Sequence, residues 1–175
     1  MTIEIRPPAS IDEFRAGEAI IATSWRAAFA DIVTEATLER LDEIVTGTEL
    51  AERYRRYEQL PDIGCLLGLD AGVVGTASYG WNQADTKPFV KSGEAELMTL
   101  YVTPDRWGQG IGSALLDAVI SHLPEATDRL VLETFTRNWD GRRFYETYGF
   151  YVDGSSTFAI AEETYPTVVY ALDLQ

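Results

Sequence analysis

Three alternate glycines, Gly108, Gly110 and Gly112, lie between an apolar run that ends at Val102 and the beginning of a helical pattern. Glycines permit backbone conformations in which several N–H groups converge, and the first turn of a helix adds a partial positive charge. This combination predicts a cradle that binds pyrophosphate without any basic side chain. The helical pattern that follows the glycines consists of Ile111, Leu115, Val119 and Leu123.

The spacing excludes two better-known phosphate-binding loops. A Walker A loop ends in Gly-Lys-Ser or Gly-Lys-Thr, and no lysine lies in this segment. The dinucleotide pattern G-x-G-x-x-G fails because Ser113 stands where the last glycine belongs when counting starts at Gly108. From these residues alone, a tight strand-to-helix turn with no ligand remains an alternative.

The same segment resembles the signature motif of the GNAT superfamily of acetyl-CoA-dependent N-acyltransferases, which reads approximately V-x-P-x-x-R-G-x-G-I-G-x-x-L-L. Trp107 departs from the motif because it occupies the position of the usual Arg or Gln, although Arg106 is adjacent. Since the cradle of the family uses backbone N–H groups, we expect this change to be tolerated. The matching residues are Val102, Pro104, Gly108, Gly110, Ile111, Gly112, Leu115 and Leu116.

A second segment, residues 138–150, is similar to the family motif N-x-x-A-x-x-x-Y-x-x-x-G-F. Only the alanine is altered, to Gly141, a change that slightly weakens a helix. Residues 24–29 also look like the first-helix segment of many members. The resemblance therefore covers nearly the whole chain.

The resemblance implies a binding site for acetyl-CoA. The pantetheine arm would pair with the backbone of Leu100, Tyr101 and Val102 as an added strand does. Asn138 would contact the pantetheine amide region, although an N-cap of the following helix is an equally natural role. The pyrophosphate would lie on the loop residues Gly108, Gln109, Gly110, Ile111, Gly112 and Ser113.

The resemblance also implies catalytic residues. Tyr145 matches the usual general acid, which protonates the departing thiolate, with Tyr148 as a weaker competitor and a packed core tyrosine as the alternative. Glu133 matches a position that serves as the base in some members, and Glu96 is its rival. Many relatives use only water, so a side-chain base is one of two open possibilities.

The chain also contains three clustered arginines, one cysteine and one histidine. Arg137, Arg142 and Arg143 form a local basic segment, which predicts either contact with a coenzyme A phosphate or an exposed helix face. Cys65 lies in an apolar run and is predicted to be a buried small hydrophobe. His122 is the only histidine, so we expect no catalytic metal site.

Hydrophobic periodicity defines the elements that position these residues. The helices are predicted at 11–29, at 34–59 with a break at Gly47, from the glycine loop through Leu123, and at 139–148. The strands are predicted at 3–5, 63–69, 73–81, 97–102, 130–135, 150–154 and 168–174, with a polar loop at 82–93 and an irregular acidic connection before the last strand. This order predicts an α/β or α+β fold, and the resemblance implies a GNAT-type mixed, mostly antiparallel central sheet of six to seven strands flanked by about four helices.

The length of 175 residues predicts a single domain over residues 1–175. The net charge of −14, from 28 acidic and 14 basic residues, argues against nucleic acid and anionic membranes as partners. No apolar run reaches the length of a membrane span and no signal-peptide core is visible, so a cytoplasmic location is expected. Adaptation to concentrated salt is a further hypothesis for the acidic excess.

The expected function is transfer of an acetyl group from acetyl-CoA to a primary amine by direct attack on the thioester, without a metal. The alternative is a non-catalytic sensor that binds acyl-CoA, but the presence of both Asn138 and Tyr145 favours an enzyme. Aromatic and acidic residues in the regions that shape the acceptor site suit a cationic small-molecule or peptide amine. Homodimers are common among relatives, so a homodimer is compatible with the sequence.

Overall fold

The computed structural model describes residues 2–82 and 85–175, and in this part of the chain it contains seven strands and five α-helices. The strands are β1 (Glu4–Arg6), β2 (Ile63–Leu69), β3 (Val73–Trp81), β4 (Glu94–Val102), β5 (Arg129–Phe135), β6 (Tyr151–Ile160) and β7 (Glu163–Asp173). The helices are α1 (Ile11–Phe29), α2 (Glu35–Thr46), α3 (Glu49–Gln59), α4 (Ile111–His122) and α5 (Trp139–Tyr148). A short 3-10 helix spans Pro104–Arg106.

All seven strands form one sheet in the order β1-β2-β3-β4-β5-β7-β6. Only β4 and β5 are parallel, and every other neighbouring pair is antiparallel. The predicted mixed, mostly antiparallel sheet is therefore confirmed. Among the described residues, no helix has both the length and the hydrophobicity of a transmembrane segment.

Helices cover both faces of the sheet, and the alternation of side chains along β2 shows how the two cores are divided. Leu66 packs into a cluster that contains the apolar face of α4. Its neighbours Cys65 and Leu67 point to the opposite face, where they meet Phe14 of α1 and Leu50 of α3. The glycine loop at the beginning of α4 is thus held on one face, and the three N-terminal helices lie on the other.

The break in the long helical stretch occurs at the predicted residue. A side chain at Gly47 would place its Cβ 2.7 Å from the carbonyl oxygen of Glu43, so a glycine is the residue that fits. The Gly47 N–H donates to the same carbonyl and ends α2. Because of this break, the described chain has five helices where about four were expected.

The predicted irregular connection before the last strand is wrong. The chain instead forms a long antiparallel hairpin, in which Tyr151 pairs with Ala171 at one end and Ile160 with Glu163 at the other. Ala161 and Glu162 make the turn, both with positive φ. Most residues of β6 are exposed because β6 is an edge strand, so its sequence lacks the apolar alternation that identifies a strand.

Candidate active site

A wedge opens in the middle of the sheet between β4 and β5. The two strands pair only over residues 94–96 and 129–131. Beyond this point β4 continues to pair with β3 as far as Val102, and β5 continues to pair with β7 as far as Phe135. The facing edges of β4 and β5 therefore offer backbone groups to an extended ligand, as an exposed sheet edge does.

A β-bulge marks the start of the wedge. Ser78 pairs with Thr99 and Tyr79 pairs with Leu97, which leaves Met98 as an extra residue on β4. A bulge removes one residue from the ladder and re-aims the local backbone. Met98 is also one of the residues that line the cavity described below.

The glycine loop has the geometry of an anion cradle. Gly108 and Gly110 have φ values of 74° and 83°, in the left-handed region that favours glycine. No heavy atom lies within 4 Å of the position that a Cβ would take on either residue, so both backbones face open space. Gly110 begins α4 without a side-chain cap and no acidic residue lies in the first turn, which leaves the initial N–H groups suited to a phosphate.

Two side chains of this loop serve other contacts. Arg106 donates from Nε to Oε1 of Gln109 at 2.9 Å and from Nη2 to Asp70 at 2.8 Å. The first of these bonds uses the side-chain oxygen of Gln109, so the groups that this residue can offer to a phosphate are its backbone N–H and its side-chain amide N–H groups.

The carbonyl of Val102 also has its partners within the protein. It accepts hydrogen bonds from Trp107 Nε1 at 2.7 Å and from Ser24 Oγ at 3.1 Å. Since a carbonyl oxygen has two lone pairs, Val102 has none left for a ligand. Among the three predicted strand-pairing residues, Leu100 is the better candidate for accepting a bond from an added strand, because the carbonyl of Tyr101 faces Gly75 of β3.

Asn138 is the N-cap of α5. Its Oδ1 accepts a hydrogen bond from the Gly141 N–H at 3.1 Å, and its Nδ2 donates to Thr134 Oγ1 at 2.8 Å. A side-chain amide carries two N–H groups, so one donor of Asn138 is still available. The capping role and the predicted ligand contact are thus compatible.

Tyr145 lies on α5 with its ring packed against Phe144 and Phe150. Its hydroxyl has no hydrogen-bond partner among the described residues. Burial raises the pKa of Tyr145, with a further contribution from Tyr101, so the phenol is protonated at neutral pH. Tyr148, the competing tyrosine, instead donates to Asp117 of α4.

Tyr101 joins the wedge to a cavity of about 230 Å³ on the face that carries α1 and α2. Its hydroxyl accepts a hydrogen bond from Trp25 Nε1 at 2.9 Å. Burial raises the pKa of Tyr101 to about 12, so this phenol is also neutral. The cavity walls include three carboxylates and two cations, namely Glu18, Glu96, Glu133, Arg53 and Lys87.

Glu96 is the most buried of these carboxylates, with 3% of its surface exposed. Burial raises its pKa from the ordinary 4.5 to about 7, opposed by Lys87 and assisted by the charge of Glu133. Its Oε2 accepts a hydrogen bond from the backbone N–H of Lys87 at 2.9 Å. A carboxyl with a pKa near 7 is well suited to accept a proton at neutral pH.

Glu133 lies two residues beyond the last β4–β5 pair and is also buried, with 9% of its side chain exposed. Its Oε2 accepts a hydrogen bond from Thr167 Oγ1 at 2.7 Å. The Lys87 Nζ lies 3.2 Å from Oε1, but this ion pair lacks hydrogen-bond geometry. Oε1 is therefore a buried acceptor without a donor among the described residues.

The sequence prediction missed three charged residues of the cavity, Glu18, Arg53 and Lys87. Glu18 and Arg53 form an ion pair at 3.0 Å between α1 and α3, and burial raises the pKa of Glu18. Both look like surface residues of amphipathic helices in the sequence. Of the three, only Lys87 stands out in the sequence, because it is one of only two lysines in the chain.

Two of the three arginines around α5 make contacts within the protein. Arg142 donates to the Tyr170 hydroxyl and to the carbonyl of Thr136, both at 2.9 Å, and Arg137 donates to the carbonyl of Asp31 at 3.2 Å. Arg143 is exposed and has no partner within the described ranges. It is the arginine of this segment that is available to an external anion.

The histidine and the cysteine lie outside this site. His122 is exposed at the end of α4 and contacts the carbonyl of Ala118, whereas Cys65 is buried in the core, where burial raises its pKa to about 12. Within residues 2–82 and 85–175, no three His, Cys, Asp or Glu side chains are grouped so that they could hold a metal ion.

Comparisons with known proteins agree with this architecture. The sequence model of the Acetyltransferase (GNAT) family matches residues 30–150. Among curated proteins, no sequence matches the chain significantly.

Solved structures share the fold over nearly the full chain. The PaiA N-acetyltransferase from Thermoplasma acidophilum in complex with coenzyme A is 22% identical, with a TM-score of 0.76 and 99% of each chain covered. A GCN5-related N-acetyltransferase from Rhodopseudomonas palustris is 21% identical, with a TM-score of 0.75, covering 99% of this chain and 97% of the other. The ribosomal-protein-S18-alanine N-acetyltransferase from Escherichia coli is 18% identical, with a TM-score of 0.65, covering 99% of this chain and 94% of the other.

Proposed function

The chain belongs to the acetyltransferase (GNAT) family, and from this premise we propose that it transfers the acetyl group of acetyl-CoA to an amine by direct attack on the thioester. The observation that carries the proposal is the continuity of three features. The glycine cradle follows the end of β4, the wedge lies along the same strand, and residues of that strand also line the acidic cavity. A long ligand with a phosphate end and a thioester end would span them.

The cradle and the wedge would bind acetyl-CoA. The pyrophosphate would accept N–H bonds from the residues that follow Gly108 and Gly110, where the backbone faces open space. The pantetheine would lie in the wedge beside Leu100 and Tyr101, with the second amide N–H of Asn138 as a further donor. Arg143 is the candidate for a contact with a phosphate, since a guanidinium donates several hydrogen bonds to such a group.

The acceptor amine would enter the cavity from the opposite face of the sheet. It must lose a proton before its nitrogen can attack, and the buried Glu96, with a pKa of about 7, is the group best suited to take it. Glu133, the base predicted from the sequence, shares the cavity, but its Oε2 accepts a hydrogen bond from Thr167 and its Oε1 lies beside the Lys87 ammonium. We therefore assign proton removal to Glu96 and leave Glu133 as the competing assignment in the test below.

The bond changes balance with these groups alone. The amine nitrogen forms a bond to the acetyl carbon, the carbon–sulfur bond breaks, and the ammonium nitrogen gives up two protons in all. The Glu96 carboxylate takes the first proton before attack, and the second, released as the amide forms, restores the phenol of Tyr145 after it has protonated the thiolate. The leaving thiolate takes a proton from Tyr145, whose hydroxyl has no internal partner. Because burial raises the pKa of Tyr145, the phenol is protonated at neutral pH and carries a proton that the thiolate can take.

The test is to mix the protein with acetyl-CoA and a panel of primary amines and to follow release of the free thiol. We expect thiol release that depends on the amine, with kcat/KM rising with pH to a plateau above an apparent pKa of about 7. Glu96→Gln should abolish this pH dependence, whereas a loss of the same ionisation in Glu133→Gln would assign the base to Glu133. Tight binding of coenzyme A without turnover of any amine would refute the enzyme and favour a sensor.

A further inference from the structure

The lysine-poor chain places one of its two lysines inside the proposed acceptor site. Lys87 belongs to the segment between β3 and β4, and three contacts tie it to three different strands. Its backbone N–H donates a hydrogen bond to Glu96 of β4, and its side-chain Nζ lies 3.2 Å from Glu133 of β5. The same ammonium lies 4.5 Å from the ring centroid of Phe158 on β6.

These contacts indicate which chemical group the cavity binds. A carboxylate oxygen and an aromatic face are the two groups that bind an ammonium ion, through charge and through the cation–π interaction. The unbranched butyl chain of Lys87 carries its ammonium to that position. The protein thus displays an alkylammonium group bound within its own cavity.

The fit of this internal ammonium is incomplete. Oε1 of Glu133 is buried and has no hydrogen-bond donor among the described residues, although Lys87 is close to it. A buried acceptor without a donor is rare and costs free energy. The Lys87 side chain is 38% exposed, and an ion pair with a half-exposed partner is weak and easily broken. A ligand that donated directly to Oε1 would therefore displace it.

We propose that Glu133 and Phe158 form a binding site for the ammonium group of a primary alkylamine acceptor and that Lys87 is the internal occupant which this acceptor displaces. The proposal rests on the function proposed above and specifies its substrate class, an amine on an unbranched aliphatic chain. It gives Glu133 the role of binding the ammonium, while Glu96 receives the proton. Lys87 then sets the specificity, because only a better-placed ammonium replaces it.

The binding experiment uses n-butylammonium as the probe and n-butanol as its neutral counterpart, each titrated into the protein and followed by amide chemical shifts. Lys87→Met removes the charge and keeps the apolar stem, so the dissociation constant of n-butylammonium should fall about fivefold. Lys91→Met is the matched control, because Lys91 is exposed in the same segment and its backbone bond to Glu94 does not depend on the side chain. Binding of n-butanol should change in neither variant.

A double-mutant cycle separates displacement from a general change in charge. Glu133→Gln should weaken n-butylammonium binding roughly tenfold and should cancel the gain produced by Lys87→Met, because the two residues act through one contact. If Lys87→Met does not fold as the parent protein does, Lys87→Gln replaces it in the same cycle. Equal affinities in the Lys87 and Lys91 variants, or a gain that persists with Glu133→Gln, would overturn the proposal.

Kinetics distinguish this inference from the function on which it rests. With n-butylamine as acceptor, Lys87→Met should lower the KM for the amine about fivefold and leave the affinity for acetyl-CoA unchanged. Acetyl transfer with an unaltered KM in this variant would overturn the ammonium site and leave the enzyme intact. Binding as predicted with no acetyl transfer to any amine would support the site and refute the enzyme.

Discussion

Replacing Glu96 by Gln tests the central electrostatic claim about the cavity, because the substitution preserves shape and removes the ionisation. Glu96 is buried, and burial raises its pKa from the ordinary 4.5 to about 7. A group that binds its proton more tightly in the folded state stabilises the fold fully below its unfolded pKa. That stabilisation is then lost as the pH rises through the folded pKa.

The magnitude follows from the two pKa values. Each pH unit between them corresponds to about 1.4 kcal/mol, so complete ionisation of Glu96 destabilises the folded state by about 3 kcal/mol. Most of this change, about 2.5 kcal/mol, develops between about pH 5 and about pH 8. In Glu96→Gln the amide oxygen can still accept the hydrogen bond from the backbone N–H of Lys87. The contribution of this bond to the unfolding free energy therefore largely cancels when the two pH values are compared.

The assay is urea unfolding of the parent protein and of Glu96→Gln at both pH values and constant ionic strength. We expect the variant to gain about 2.5 kcal/mol of unfolding free energy relative to the parent on going from the lower pH to the higher. The same variant should lose roughly a hundredfold or more in kcat if Glu96 removes the proton. Parallel pH dependences in the two proteins would refute the raised pKa and with it the assignment of Glu96 as the base.

Further predictions concern the thioester end and the phosphate end of the proposed donor site. Tyr145→Phe should lower kcat by roughly a hundredfold or more without changing the affinity for coenzyme A. Tyr148→Phe is the control, because it loses a hydrogen bond to Asp117 and should affect stability alone. Equal kcat values in the two variants would show that Tyr145 is not the acid. Gly110→Ala should weaken coenzyme A binding about tenfold, measured by calorimetry, because the alanine Cβ enters the cradle at a residue with positive φ. Gly72→Ala is the control, because Gly72 also has positive φ but lies in the turn after β2, and this variant should bind coenzyme A unchanged. Arg143→Ala should weaken coenzyme A binding by roughly threefold to tenfold, with the effect decreasing at high salt, and unaltered binding would exclude the phosphate contact.

The cradle could be predicted from the sequence because backbone conformation there depends on residue type. Gly108 and Gly110 adopt positive φ, which other residues rarely do, so the glycines mark the loop directly. The same applies to Asn138, whose side chain caps α5 as its position before Trp139 indicates. Local chemistry of this kind does not require knowledge of the distant parts of the fold.

The cavity could not be predicted in the same way, because its groups come from elements that are far apart in the sequence. Glu133 meets Lys87 through the folding of a loop onto β5, and no periodic pattern reports that contact. Glu18 and Arg53 face each other only because α1 and α3 pack together. The second half of the edge strand β6, beyond the predicted strand at 150–154, was missed for a related reason, since its exposed residues carry no apolar alternation although Phe158 reaches the cavity.

The acidic character of the chain has different consequences at the two ends of the proposed site. At a net charge of −14 the protein repels polyanions at long range, yet the cradle uses backbone N–H groups and a helix beginning, which attract a phosphate at contact distance. In the cavity the sign is favourable, because Glu96 and Glu133 attract an ammonium while Lys87 offsets part of their charge. Raising the salt concentration screens both interactions, so it should strengthen the binding of coenzyme A and weaken the binding of a cationic acceptor. A single titration with salt that lowers the KM for acetyl-CoA and raises the KM for the amine would show that both effects arise from the same field.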